Sequence, residues 1–361
     1  MSGSATRHDT LSRMSAENPI TRETERQALP WLRSVSELTT TGRIRCSDKT
    51  KRPAATSVGA IAEVLSAGDF YPDLPIASYA WPLLLQAGGL AHLTGTKLQL
   101  TSTGRVATGN PTATTIRDLW RRWLTHGVID EFSRIEEIKG QRRPNVLTAV
   151  TRRRATVAEG LTTCPVGEWI AVDELFHRMR RRGLNPTIAR GERALFRLYI
   201  GHVEHGSLGY AGFHDWPILE GRYTLAVLFE YAATLGLIDV QYVRPEGART
   251  DYHQNWGDDD RPFLSRYDGL VAIRLNPLGA FATGVGRDYT AAETTPATPE
   301  LVTVQANSIS SRSARSTASP RRGSPRIPSG RPLGSFDQHD SGFRGGLLHV
   351  GYALPPVGGI D

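Results

Sequence analysis

Apolar side chains recur at helical spacing through the first third of this chain. In residues 57–66 (SVGAIAEVLS), Val58, Ile61 and Leu65 form one stripe that predicts a helix with a single buried face. A helix over Arg26–Val35 and a short strand over Ile44–Ser47 are read before it. A heavily apolar helix follows at Ser78–Gln86 (SYAWPLLLQ), with Pro82 in its first turn and Gly88-Gly89 as its stop. Leu90–Leu93 and Lys97–Leu100 then alternate as short strands around the tight Thr94-Gly95-Thr96 turn. Helices followed by a small hairpin are what a winged helix requires, the hairpin being the wing.

Residues 112–138 read as a long connecting helix, broken near Gly127, that buries Leu119, Trp123, Ile129, Phe132 and Ile135. Further helices are expected at Thr156–Leu161, Val172–Arg181 and Tyr223–Leu235. Strands are expected at Leu237–Val243 and Leu270–Leu275, separated by a polar insertion at 244–266. Residues 98–109 (LQLTSTGRVATG) and 273–284 (IRLNPLGAFATG) share a pattern of strand, two helix-starting residues, glycine and an Ala-Thr-Gly ending. Thr101 or Asn276 can cap the short helix that follows. The expected fold is mainly α with small β-hairpins (α+β): tandem winged-helix-like units and a disordered C-terminal tail. The expected boundaries are a flexible N-terminus at 1–25, a first unit at 26–110, a connecting helix and basic segment at 111–154, a second unit at 155–285, and the tail at 286–361.

Composition changes this picture mainly at the end of the chain. Over residues 311–335, Ser, Arg, Pro and Gly make up 20 of 25 positions, with no acid, so too little apolar surface exists to offset ordering entropy. That segment carries +6 of a net +7, so the folded part is expected to be only mildly basic. Two distant cysteines, Cys46 and Cys164, cannot build a four-thiolate zinc site or a disulfide framework and fit a reducing cytoplasm. No signal peptide or membrane span is legible, and the expected location is cytoplasmic, with nucleoid association as a variant.

No phosphate-cradling P-loop and no GxGxxG turn occurs. His202, His205, His214 and Asp215, and His253 with Asp258–Asp260, follow no compact ligand spacing, so no metal and no cofactor are expected. The carboxylates Asp130, Glu131, Glu136 and Glu137 lack a nucleophile beside them, and no enzyme activity is expected, an enzyme of unrecognised type standing as the third alternative after DNA binding and protein docking. The basic groups carry the functional case. Lys139 to Arg154 (KGQRRPNVLTAVTRRR) holds six basic residues and no acid. Arg142, Arg143, Arg152, Arg153 and Arg154 are candidates for phosphate contacts, the alternative being pairing with the 130–137 acids. Lys49, Lys51 and Arg52 add to the same field, and Lys97 sits at the rim of the wing. Arg178, Arg181 and Arg182 are further candidates, though RMRRRG equally suits a helix C-terminus. Ser78–Gln86 offers few polar groups to a DNA groove, so Trp81, Leu84 and Leu85 are candidates for protein docking instead.

The stretch Gly68–Gly109 (GDFY…IASYAWPLLLQAGGL…LQLTSTGR) and residues 119–143 (LWRRWLTHGVIDEFSRIEEIKGQRR) resemble bacterial, chiefly actinobacterial, helicase-associated proteins. Their later part resembles the N-terminal region of XPB-type DNA helicases. GSLGYAGFHDW at 206–216 and SRYDGL at 265–270 add to the resemblance, which covers about residues 28–285. It implies a repair or transcription setting without a motor, and no catalytic residues carry over. The expected partners are DNA, bound with low sequence specificity, or a helicase or other protein subunit, and no membrane.

Overall fold

Helix α1 (Glu25–Thr40) starts the first half and buries Ala28, Trp31, Leu32 and Val35. Its stripe continues through Pro30, the sixth residue of the helix, which lacks the N–H that would donate to Arg26 O. The computed structural model describes residues 18–253 and 261–291. After α1 the chain makes a short bridge at Arg45, antiparallel to Lys97. Next come α2 (Ala55–Val64) and α3 (Ala77–Ala87), then the hairpin β2 (Ala91–Thr94) and β3 (Lys97–Leu100), then α4 (Ser102–Gly109). Asp69 receives the backbone N–H groups of Ile76, Ala77 and Ser78, so one carboxylate satisfies the otherwise unpaired start of α3.

The connecting helix is shorter than its apolar pattern suggests. Helix α5 (Ala113–Thr125) stops before Gly127, and Glu131–Arg134 forms only a 3-10 turn. A short strand β4 (Ile138–Lys139) follows and pairs with β6 (Tyr199–Ile200). Between them lie α6 (Val150–Thr162), β5 (Trp169–Ala171), α7 (Val172–Arg181) and α8 (Glu192–Leu195). A π-turn at Pro217–Gly221, α9 (Arg222–Ala226) and a π-wound stretch at Val227–Ala232 run end to end as one central helix. Strands β7 (Ile238–Tyr242) and β8 (Leu270–Leu275) and helix α10 (Pro277–Thr283) complete the described part.

The two halves repeat one order of elements. In the first, a helix, a bridge strand, two helices, two strands and a short helix follow one another. In the second, α6, β5, α7, the central helix, β7, β8 and α10 follow the same order, with α8 and β6 inserted between α7 and the central helix. In each, the last strand lies between the other two: β3 between β2 and Arg45, and β8 between β7 and β5. The matched segments 98–109 and 273–284 adopt the same geometry. Thr101 Oγ1 accepts from Gly104 N and Asn276 Oδ1 accepts from Gly279 N, each at 2.9 Å.

The expected division into separate units is corrected by the core. One buried apolar cluster runs from Ala28 to Ala282, and α3 packs on the central helix across its middle. The N-terminus is not free from residue 20 onward: β1 (Ile20–Arg22) extends the second half's sheet by pairing with β7, giving the order β1-β7-β8-β5. A three-residue strand with a partner over two hundred positions away leaves no local periodicity to read. At the other end, Tyr289 still packs against the core, and residues 292–361, which hold most of the expected tail, lie outside the described residues. No helix among the described residues is long and apolar enough to cross a membrane.

Ion pairs weld this interior. Arg134 donates to both Glu230 carboxylate oxygens from Nε, at 3.2 and 2.9 Å, and lies 3.5 Å from the centre of the Tyr79 ring. It therefore ties α3 to the central helix. Arg222 pairs with Asp268 at 3.1 Å, and Tyr267 donates to Glu230. Arg134, Glu230, Arg222 and Asp268 thus each meet an opposite charge, as burial of an ion in low dielectric demands.

Candidate functional site

A cleft of about 890 Å³ opens where the first half meets the connecting segment. Its walls include Arg52, Lys139, Arg142 and Arg143, together with Asp130 and Glu136. Arg52 arrives from the loop between the Arg45–Cys46 bridge and α2. This loop is closed by pairing of Cys46 with Pro53 and by Ser47 N donating to Arg52 O at 2.8 Å. The Arg52 guanidinium is aimed into the cleft by a hydrogen bond to Ser133 Oγ.

The opposite wall is the segment from β4 to Leu147. Gly140 turns it at φ +83°, and a Cβ there would lie 1.8 Å from Arg197 O, so only glycine fits against the backbone just ahead of β6. Gln141 Nε2 donates to Ile135 O at 2.9 Å and to Ile138 O at 2.6 Å, fixing the turn from which Arg142 and Arg143 project. Both arginines are exposed, and among the described residues neither has a carboxylate partner. The two acids of the cleft are already matched. Asp130 binds Arg153 at 2.5 Å, and Glu136 lies 3.4 Å from Arg266 and 3.9 Å from Arg134. The cleft is thus left with unmatched positive charge.

Two further arginines support it that the sequence reading did not single out. Arg190 Nε donates to Leu147 O at 2.8 Å, and Arg197 Nη1 donates to Pro144 O at 3.2 Å. Both buttress the Arg142–Arg143 turn by binding backbone carbonyls, and so they keep their charge beside it. The signal available was the composition of ARGERALFR at 189–197, three arginines to one acid.

The candidates of the first half gather on the same edge. Lys49 and Lys51 are exposed on the Arg52 loop, with Lys51 at φ 61°. Lys97 pairs with Arg45, and Arg45 and Arg52 share a second recess of about 420 Å³. A basic edge therefore runs from the hairpin through Arg45 and Arg52 to Arg142 and Arg143. Arg152 is exposed on α6. On α7, Arg178 Nε binds Glu174 at 2.9 Å and Arg181 lies 3.9 Å from the same carboxylate, whereas Arg182 is exposed at the helix end. None of these four lines the cleft.

Arg153 and Arg154 are corrected outright. They are 1% and 0% exposed because α6 turns that face, with Val157, Ala158 and Leu161, into the core. Arg154 binds Glu131, donates to Trp123 O at 2.6 Å and stacks 4.5 Å from the Trp123 ring. Burial alone raises the Glu131 carboxyl above its ordinary range, and Arg154 opposes that rise. No phosphate can reach either guanidinium. The docking candidates Trp81, Leu84 and Leu85 are corrected likewise: all are 0% exposed, since α3 is enclosed on every side. The central helix is equally enclosed, so neither half presents its third helix to a groove.

Other chemistry is sparse. Among the described residues no three His, Cys, Asp or Glu side chains converge on a metal-sized space, and Asp258–Asp260 lie outside those residues. Burial pushes the Cys46 and Cys164 thiols up to about 11, which holds them as unreactive thiols. No protein family, curated protein or solved structure matches the chain.

Proposed function

We propose that this chain is a non-catalytic accessory protein with tandem winged-helix units that binds the DNA backbone with low sequence preference through the cleft at Arg52, Arg142 and Arg143. One observation carries the reading: two basic segments remote in sequence meet in one cleft whose acids are already paired. Guanidinium forks without carboxylate partners suit phosphate oxygens, which give position without base readout. The winged-helix assignment rests on the repeated order of helix, strand, two helices and two strands, with the last strand central in each half. Enclosure of both third helices argues for backbone contact over groove reading. The likeness of residues 68–109 and 119–143 to helicase-associated proteins supports a repair or transcription setting.

The test is anisotropy of a labelled duplex titrated with the full chain. Charge reversal by R52E/R142E/R143E is expected to weaken binding at least about tenfold, since each lost phosphate contact removes a salt-dependent increment. Reversal at Arg121 and Arg287, exposed but outside the cleft lining, carries the charge control and is expected to change affinity by about twofold at most. Equal losses from both sets would refute the assignment to the cleft.

A further inference from the structure

Beside the cleft, the loop after α8 exposes large aromatic rings on an ordered backbone. Phe196 is 57% exposed and Tyr210 is 46% exposed, with their ring centres 6.1 Å apart, edge to face. Phe213 continues the row, 5.8 Å from Tyr210. Phe196 lies directly over Gly209, where a Cβ would come within 2.3 Å of the ring. The loop is tied at several points. Ile200 N donates to Gly206 O at 3.0 Å, Gly206 N to His202 O at 2.7 Å, and Leu208 N to Leu198 O at 2.9 Å. The backbone that carries the rings is therefore held before any ligand arrives, which lowers the entropy cost of binding.

This platform adjoins the basic cleft. Phe196 is followed by Arg197, whose guanidinium holds Pro144 O, the residue after Arg143. β6, a few residues further on, pairs with β4 in the register Ile138↔Ile200 and Lys139↔Tyr199. Arg190, Arg193 and Arg197 share the neighbourhood with Glu192 and Glu204, so with Arg142 and Arg143 the surroundings remain positive. Exposed aromatic rings beside a row of cations match a polyanion that offers flat faces as well as phosphates. A duplex keeps its base faces stacked inside, whereas a single strand presents them.

We infer that the cleft and its aromatic platform form a binding site for single-stranded nucleic acid, with bases stacked on Phe196 and Tyr210 and phosphates on Arg52, Arg142, Arg143 and Arg197. The inference rests on the phosphate-binding reading of the cleft and assigns that cleft its preferred strand form. No bond is made or broken, and the site holds the strand by stacking and charge alone.

The full chain, wild type and variants, is titrated with a labelled oligothymidylate and with a duplex of equal length. Phe196→Ala and Tyr210→Ala are each expected to weaken single-strand binding about tenfold while leaving duplex binding within about twofold. Phe196→Leu keeps bulk over Gly209 but lacks a ring, and it is expected to lose as much as Phe196→Ala. Phe196→Trp and Tyr210→Phe are expected to retain wild-type affinity. Single-strand affinity unchanged in the aromatic variants, as it would be if this patch docks a protein, overturns the inference, and so does an equal loss on both strand forms. R52A/R142A/R143A separates the two claims. If it weakens binding while the aromatic variants do not, only the stacking inference fails; if it does not weaken binding, the cleft reading itself fails.

Discussion

Gly104 and Gly279 occupy equivalent places in the two halves of the molecule: a Cβ on the first would lie 1.9 Å from Leu90 O, and on the second 1.8 Å from Leu237 O. Each glycine also donates its N–H to the helix-capping side chain three residues before it. The short helix thereby presses against the backbone just ahead of β2 in one half and β7 in the other. Gly104→Ala and Gly279→Ala are each expected to cost about 3 kcal/mol, the upper end for overpacking. Urea unfolding measures this. A loss below about 0.5 kcal/mol at either site would show that the contact is not close.

The shared core makes a second expectation. Arg154 and Glu131 are both fully buried and bind each other, so Arg154→Ala strands a carboxylate in the interior. The expected destabilisation is about 3–5 kcal/mol. Arg142→Ala, in the same basic segment but exposed, is expected to change stability by no more than about 0.5 kcal/mol. Comparable losses at the two positions in a denaturant series would contradict the opposite placement of these arginines.

Glu220 supplies a pH signature. Its carboxyl is buried without an arginine or lysine partner among the described residues, and burial raises it above the usual 4.5, opposed by the Ile188 N–H that it accepts at 3.1 Å and by the charge of His214. The folded state therefore binds the proton more tightly than the unfolded state. The stability gained from this is complete below 4.5 and is lost as pH rises through the folded value. Glu220→Gln, which keeps an acceptor but no charge, is expected to melt higher than wild type at neutral pH. The gap should close as pH falls toward 4.5. Melting curves that keep a constant gap across this range would show that Glu220 is not the titrating group.

Much of the element order is written in local periodicity, and the long-range partners are not. The α7 and β8 bounds follow from amphipathic and apolar runs alone, and the caps at Thr101 and Asn276 follow from residue type. Arg152, Arg153 and Arg154 read as one basic cluster, yet a helix places adjacent residues on different faces. Which face is buried depends on Asp130 and Glu131, which reach α6 only in the folded chain. The apolar run at 78–86 was ambiguous for the same reason, since an all-round apolar helix suits either a docking face or a core. The enclosing partner is the central helix of the other half, far away in sequence. Half of the cleft was legible as charge, in Arg52, Arg142 and Arg143. Its support by Arg190 and Arg197 needed the β4–β6 pairing, two residues long.

The most direct test of phosphate binding at the cleft is the slope of log affinity against log salt for a single-stranded oligonucleotide, with the full chain and its R52A/R142A/R143A variant compared. The six arginines of residues 311–335 are common to both proteins, so the difference in slope isolates the cleft. Three lost phosphate contacts on a single strand predict a slope shallower by about 2 in the variant. Parallel lines of equal slope would place the phosphate contacts elsewhere in the chain.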